Sequence, residues 1–96
     1  MKNAESVENK LQELINQYNL GEVLTIDMIK DLVWREEGDK AFNSFIEKAS
    51  NHFNNIKDVN ELNRVLQVFN DTWNYFPHKC LNGKSPMQAV EESKNN

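Results

Sequence analysis

Apolar residues fall along this chain in four groups with three- and four-residue spacing, separated by short polar stretches. Val7, Leu11, Leu14, Ile15 and Tyr18 predict a helix from about Ser6 to Tyr18 that buries one stripe. Glu5 and Glu8 suit the positive end of its dipole, and Gly21 in Leu20-Gly21-Glu22 is placed as its C-terminal stop. Ile26, Met28, Ile29, Leu32, Val33 and Trp34 form a broad apolar face behind Thr25, an N-cap with Asp27 in the first turn. Gly38 ends this second helix. Asp39 is placed to cap a third helix, Lys40 to about Phe53, with the stripe Phe42, Phe45, Ile46, Ala49 and Phe53.

Asn54-Asn55-Ile56-Lys57 reads as a turn, and Asp58-Val59-Asn60-Glu61 as a capping box in which Glu61 reaches back. The fourth helix carries Val59, Leu62, Val65, Leu66, Phe69 and Trp73, and should end near Tyr75 because the residue before Pro77 is driven out of the α region. Leu81-Asn82-Gly83 is a turn signal. Ser85-Pro86-Met87-Gln88 opens a last short helix with a Ser cap, Pro at the first position and Gln88 completing a box, and Glu91 to Asn96 reads as a frayed tail. No segment alternates as a strand does. The fold class predicted is all-α: a single small bundle of four main helices plus a short C-terminal helix, with loops of about 3–6 residues favouring up-and-down neighbours.

Composition narrows the setting. The 96 residues make one domain, large enough to fold without metal or disulfide. Fifteen asparagines, and nine lysines to two arginines, point to an AT-rich genome such as a low-GC bacterium or a phage. A net charge of −4 opposes non-specific nucleic-acid binding, which relies on surplus Lys and Arg. Cys80 is the single cysteine, which suits a reducing compartment. The N-terminus has no apolar signal segment, and the longest apolar run is three residues against roughly 20 for a membrane span. These features predict a cytoplasmic protein.

Candidate chemistry is sparse. His52, His78 and Cys80 are the only histidines and cysteine, and they match no zinc spacing. Glu8, Glu13, Glu36, Glu37 and Glu47 fall on polar helix faces, without the apolar surroundings that raise a pKa for acid catalysis. No glycine-rich phosphate loop is present. The expectation is no enzyme, no cofactor and no metal. Aromatic residues are more suggestive. Trp73, Tyr75 and Phe76 crowd the end of the fourth helix and Trp34 that of the second, either capping the core or anchoring a partner. His78, Lys79 and Lys84 lie between Asp71 and Glu91, where there is no acidic residue, the one locally basic segment.

The run Trp73-Asn74-Tyr75-Phe76-Pro77-His78-Lys79-Cys80-Leu81-Asn82-Gly83-Lys84-Ser85-Pro86 resembles a W-N-x-F-P-H-x-x-L-x-G-K-S-P tail of small uncharacterised bacterial proteins. It is also similar to the end of the DDE transposase and integrase core, Y-N-x-x-R-P-H-x-x-L-G-G-x-T-P, and the likeness reaches back at most to Phe42-Asn43, in the C-terminal half. That family's activity requires three metal-binding carboxylates, two on an upstream sheet this chain is too short to contain. Lys40 stands about where the third would be, and Phe76 replaces the arginine usual before Pro-His. The resemblance therefore implies a structural device rather than recombinase chemistry. A helix stops at Pro77, His78 bonds loop backbone, Leu81 packs back on the helix, and Gly83 with φ > 0 lets Ser85-Pro86 start a new one.

The function expected is a non-catalytic helical protein–protein interaction module, self-association into a homodimer included. The alternative is a nucleic-acid-binding accessory related to a mobile element. A helix-turn-helix built from the second and third helices would carry only Lys40 and Lys48 as cations on its recognition helix.

Overall fold

The computed structural model describes residues 3–38, 40–53 and 56–94. Five α-helices follow in order: α1 Ala4–Gln17, α2 Ile26–Arg35, α3 Ala41–Ser50, α4 Val59–Tyr75 and α5 Pro86–Lys94. Single 3-10 turns span Asn51–Phe53 and Lys79–Leu81. Among the described residues there is no strand, only an isolated bridge between His78 and Lys84. The all-α bundle predicted from periodicity is the fold. Here too, no helix is long and apolar enough to cross a membrane.

The caps explain most helix boundaries. Asn3 and Ser6 form a reciprocal capping box at the start of α1. Thr25 accepts from Met28 N–H, and Asp58 from Asn60 and Glu61 N–H, as their positions predict. Glu61 does not reach back to complete its box. Its carboxylate accepts from Gln17 Nε2 at 3.1 Å and so ties α4 to the end of α1. Gly21 is not the stop of α1 either. Asn19, at φ 56°, takes the left-handed position, with Leu20 N–H bonded to Ile15 O and Asn19 N–H to Asn16 O. That is a Schellman motif two residues earlier than the glycine.

Other differences are local. α2 ends at Arg35, where Glu36 turns extended, before Gly38 is reached. The third helix tightens after Ser50 into the 3-10 turn that keeps Phe53 buried. α5 extends to Lys94, its strong helix formers aided by a Glu92–Lys84 ion pair. The Asp39 cap, the Asn54-Asn55 part of the turn and the tail residues Asn95 and Asn96 lie outside the described residues.

α4 is the centre of the bundle, with α1, α3 and α5 all against it. α1 runs antiparallel to it, since Gln17 meets Glu61 and Arg64 while Asn3 and Tyr75 line one cleft. The inward residues of α4 are Val65, Phe69, Thr72 and, just past its end, Phe76. They meet Val7, Leu11, Leu14 and Ile15 of α1, Ile29 and Val33 of α2, and Phe45 and Ala49 of α3 in a single core. A chain of ring contacts runs through it, Tyr18–Phe53–Phe69–Phe45–Trp73–His78, with centroid separations of 4.4–6.1 Å. Most of these are edge-to-face, the geometry favoured by the ring quadrupole.

The apolar faces are wider than the core needs. Val59 and Leu62 were expected in the stripe of α4 yet are 69% and 37% exposed. The molecule is elongated, 44 × 28 × 24 Å, and Glu61 and Arg64 in the first turns of α4 meet Gln17 of α1. Met28 and Trp34 of α2 and Phe42 of α3 are likewise on the outside. Phe69→Ala should therefore lower stability by about 3–5 kcal/mol, whereas Val59→Ala should stay within about 0.5 kcal/mol of the parent in urea denaturation.

Where α1 meets the start of α4, the Tyr18 hydroxyl is shut off from solvent beside Glu61 and Arg64. Burial pushes its pKa up, the neighbouring Glu61 carboxylate adds to this, and Arg64 opposes it. A phenol whose folded pKa is raised holds its proton more firmly than in the unfolded chain. Its stability contribution is complete below the unfolded value of about 10 and is lost as pH rises through the folded one. Tyr18→Phe should reduce the fall in melting temperature above about pH 10; an unchanged alkaline profile would refute this assignment.

Candidate functional site

The segment from Trp73 to Pro86 forms a closed helix–loop–helix unit. In α4 each carbonyl bonds the N–H four residues on, and Thr72 O still does so with Phe76 N–H. The next partner in the series, for Trp73 O, would be the N–H of Pro77, which proline does not have. His78 supplies the missing donor: its Nε2 lies 2.7 Å from Trp73 O. A carbonyl only accepts, so Nε2 carries the proton. The imidazole is buried at 1% exposure and stands edge-on to the Trp73 ring, 4.4 Å between centroids.

The His78 backbone then closes the loop. Its N–H donates to Lys84 O at 3.0 Å, and its carbonyl accepts from Gly83 N–H at 2.9 Å and Leu81 N–H at 3.2 Å. Asn82 and Gly83 have φ of 58° and 85°, and Lys84 N–H bonds Leu81 O, the pattern of a type I′ turn. The sequence predicts this conformation at Gly83; Asn82 shares it. The 3-10 turn carrying Leu81 lies against α2, and the Trp34 ring lies beside Gly83, so the loop packs on the second helix as well as closing the fourth. Ser85 and Gln88 form the predicted box, Gln88 accepting from Ser85 N–H at 2.8 Å and Ser85 Oγ from Gln88 N–H at 3.1 Å. Pro86 opens α5, which folds back on α4.

The predicted site residues thus divide. Phe76, His78 and Ser85 are buried, and Trp73, Tyr75, Leu81 and Pro86 are half-buried. Pro77, Lys79, Gly83 and Lys84 are exposed. Trp73 is packed on Phe45 and Phe42, so it is neither fully core nor free. The basic stretch is weaker than it reads, because α5 returns Glu92 to within 2.5 Å of Lys84 Nζ. Tyr75, Pro77 and Ser85 line a cleft of about 480 Å³ facing the start of α1, but Ser85 and Gln88 are already engaged with each other. His52 sits in the 3-10 turn after α3, and Cys80 is exposed. Among the described residues no three His, Cys, Asp or Glu side chains gather where they could hold a metal ion.

A second surface, between α3 and α4, is not evident from the sequence motif. Phe42, Ile46 and Leu66 floor a groove of about 460 Å³, rimmed by Asn63, Gln67 and Asn70. It follows from a second apolar row on α4. Val59, Leu62, Leu66 and Trp73 lie roughly a quarter of a turn from the inward row Val65, Phe69, Thr72 and Phe76. The excess of apolar positions is visible in the sequence; which row α3 leaves uncovered is not.

No family model, curated protein or solved structure matches this chain at a significant level. The proline–histidine link has its own test. His78→Ala should cost about 2–4 kcal/mol, through the orphaned carbonyl and the cavity beside Trp73. In a Pro77→Ala background, position 77 regains a backbone N–H, and the same substitution should cost less by at least about 0.5 kcal/mol. Strictly additive effects in urea denaturation would disprove the link.

Proposed function

We propose that this chain is a non-catalytic protein-interaction module whose contact surface is the groove between α3 and α4. The observation that carries this reading is the lining. Phe42, Ile46 and Leu66 supply apolar surface, Asn63, Gln67 and Asn70 supply amides, and none of the six is charged. In a chain that is 27% charged, such a face stands apart. Interface centres are depleted of charge and rely on apolar and aromatic anchors ringed by polar groups. Phe42 and Leu62 are exposed along this side, and Trp73 borders it through its contact with Phe42.

In this reading the Trp73–Pro86 segment is scaffold that fixes Trp73 and the end of α4. Nucleic-acid binding has less support, because Lys84 is paired with Glu92 and the groove offers no cation for phosphates. The lone, unpaired thiol of Cys80 fits a cytoplasmic setting.

Affinity capture with three chains tests the reading: wild type, Leu66→Glu, and Lys79→Glu on the remote basic loop. Proteins retained by wild type and Lys79→Glu but lost with Leu66→Glu are the expected outcome. Loss with Lys79→Glu alone, or salt-sensitive retention of nucleic acid instead of protein, would overturn it.

A further inference from the structure

We infer that Asn82 is a modification site, a spontaneous deamidation centre that the His78 loop holds shut and that makes an opening of this loop permanent. Asn82-Gly83 is the only Asn-Gly pair in the 96 residues. Such a pair reacts readily, because the attacking group is the backbone nitrogen of the following residue and glycine has no Cβ to obstruct it. Gly83 N loses its proton and bonds Asn82 Cγ, closing a five-membered imide ring. Asn82 Nδ2 leaves with that proton as ammonia. Water then opens the ring at either carbonyl, which leaves aspartate or, with the chain rerouted through the side chain, iso-aspartate. No co-reactant other than water is needed.

The folded loop exposes the target and restrains the nucleophile. Asn82 is exposed, so water reaches it. Gly83 N–H, however, donates to His78 O at 2.9 Å, and Lys84 N–H to Leu81 O at 3.2 Å. The proton on Gly83 N cannot be given up without breaking the first of these bonds. Asn82 is also held at φ 58° and ψ 36°, which sets Gly83 N on the far side of the Cα–C bond from its own side chain. Ring closure needs a rotation about that bond, which both turn bonds oppose, and the Trp34 ring stands beside Gly83. Reaction therefore proceeds from the open loop, at a rate set by how often the loop opens. The iso-aspartyl product carries an extra backbone carbon at position 82. Gly83 and Lys84 N–H then no longer both meet their carbonyls, and the turn that delivers Ser85 to α5 does not reclose.

Mass spectrometry with peptide mapping of the full chain, incubated at neutral pH, reads the conversion. The folded chain should deamidate at Asn82 at least about tenfold more slowly than the same chain unfolded in guanidinium chloride. In the unfolded chain Asn82 should be the first asparagine to react. His78→Ala removes the side-chain anchor of the loop but keeps the carbonyl that holds Gly83, and should raise the folded rate several-fold. Wild type alone gives a second measurement that does not depend on how that variant folds. Guanidinium below the unfolding transition should speed deamidation at Asn82 and hydrogen exchange at Gly83 N–H in step. The purified iso-aspartyl chain should lose protection at Gly83, while Asn82→Asp, with its backbone unaltered, keeps it. Equal rates in the folded and unfolded chain would overturn the proposal. So would a folded His78→Ala chain that reacts no faster, deamidation that does not follow Gly83 exchange, or an iso-aspartyl chain as protected as the parent.

Discussion

The carbonyl of Trp73 is the point on which this architecture turns. It comes at the place in α4 where the next backbone donor belongs to Pro77 and does not exist. A buried carbonyl without a partner is destabilising by about 1–3 kcal/mol, so either the helix end must face water or another donor must be found. His78 provides the donor from within the core. Once its imidazole is drawn inward, the rest of the loop is constrained. The His78 backbone binds Gly83 and Lys84, the I′ turn reverses the chain, and Ser85 is delivered as the cap of α5.

The same histidine continues the line of aromatic contacts through the bundle. Its ring stands on Trp73, Trp73 on Phe45, and Phe45 on Phe69, which reaches Phe53 and Tyr18 at the far end of α1. α4 supplies two of these rings and contacts three other helices, so its rotation about its own axis decides which apolar row faces in. The helix end set by Pro77 and His78, together with Phe76 in the core, fixes that rotation. Val65 and Phe69 then point inward, while Leu66 and Leu62 turn to the side that α3 only partly covers.

Much of this was legible in the residues, for reasons that differ by element. Thr25, Asp58 and Ser85 announce helix starts because a short polar side chain bonding an orphan N–H is a local event, needing no tertiary knowledge. Pro77 fixes the end of α4 for the same reason. The misreadings came where two residues could satisfy one need. Asn19 took the left-handed position assigned to Gly21, because a side-chain amide tolerates φ > 0 and came first. Glu61 had the choice of its own N-cap or Gln17 on another helix, and the tertiary partner won. The Glu92–Lys84 pair lies beyond local reading, since it depends on α5 folding back. The apolar excess on α2, α3 and α4 was countable, but exposure is a property of neighbours, and spacing alone gives none of them.

The contrast between the tail segment and the groove has a physical origin. The turn from α4 to α5 makes demands that few residues meet: no N–H at 77, a side-chain donor at 78, a left-handed backbone at 83, and a small capping oxygen at 85. Such a stretch has a recognisable spelling wherever a chain makes the same turn. Shared spelling in such a turn therefore calls for no shared reaction, and Phe76, just before Pro77, is buried in the core. A contact surface asks for less. Apolarity on the floor and neutrality on the rim can be written with many residue combinations, and Leu66 beside Asn63 and Asn70 is an ordinary one. The most specific letters in this chain therefore encode its shape, and the surface proposed for binding is spelled with its least specific ones.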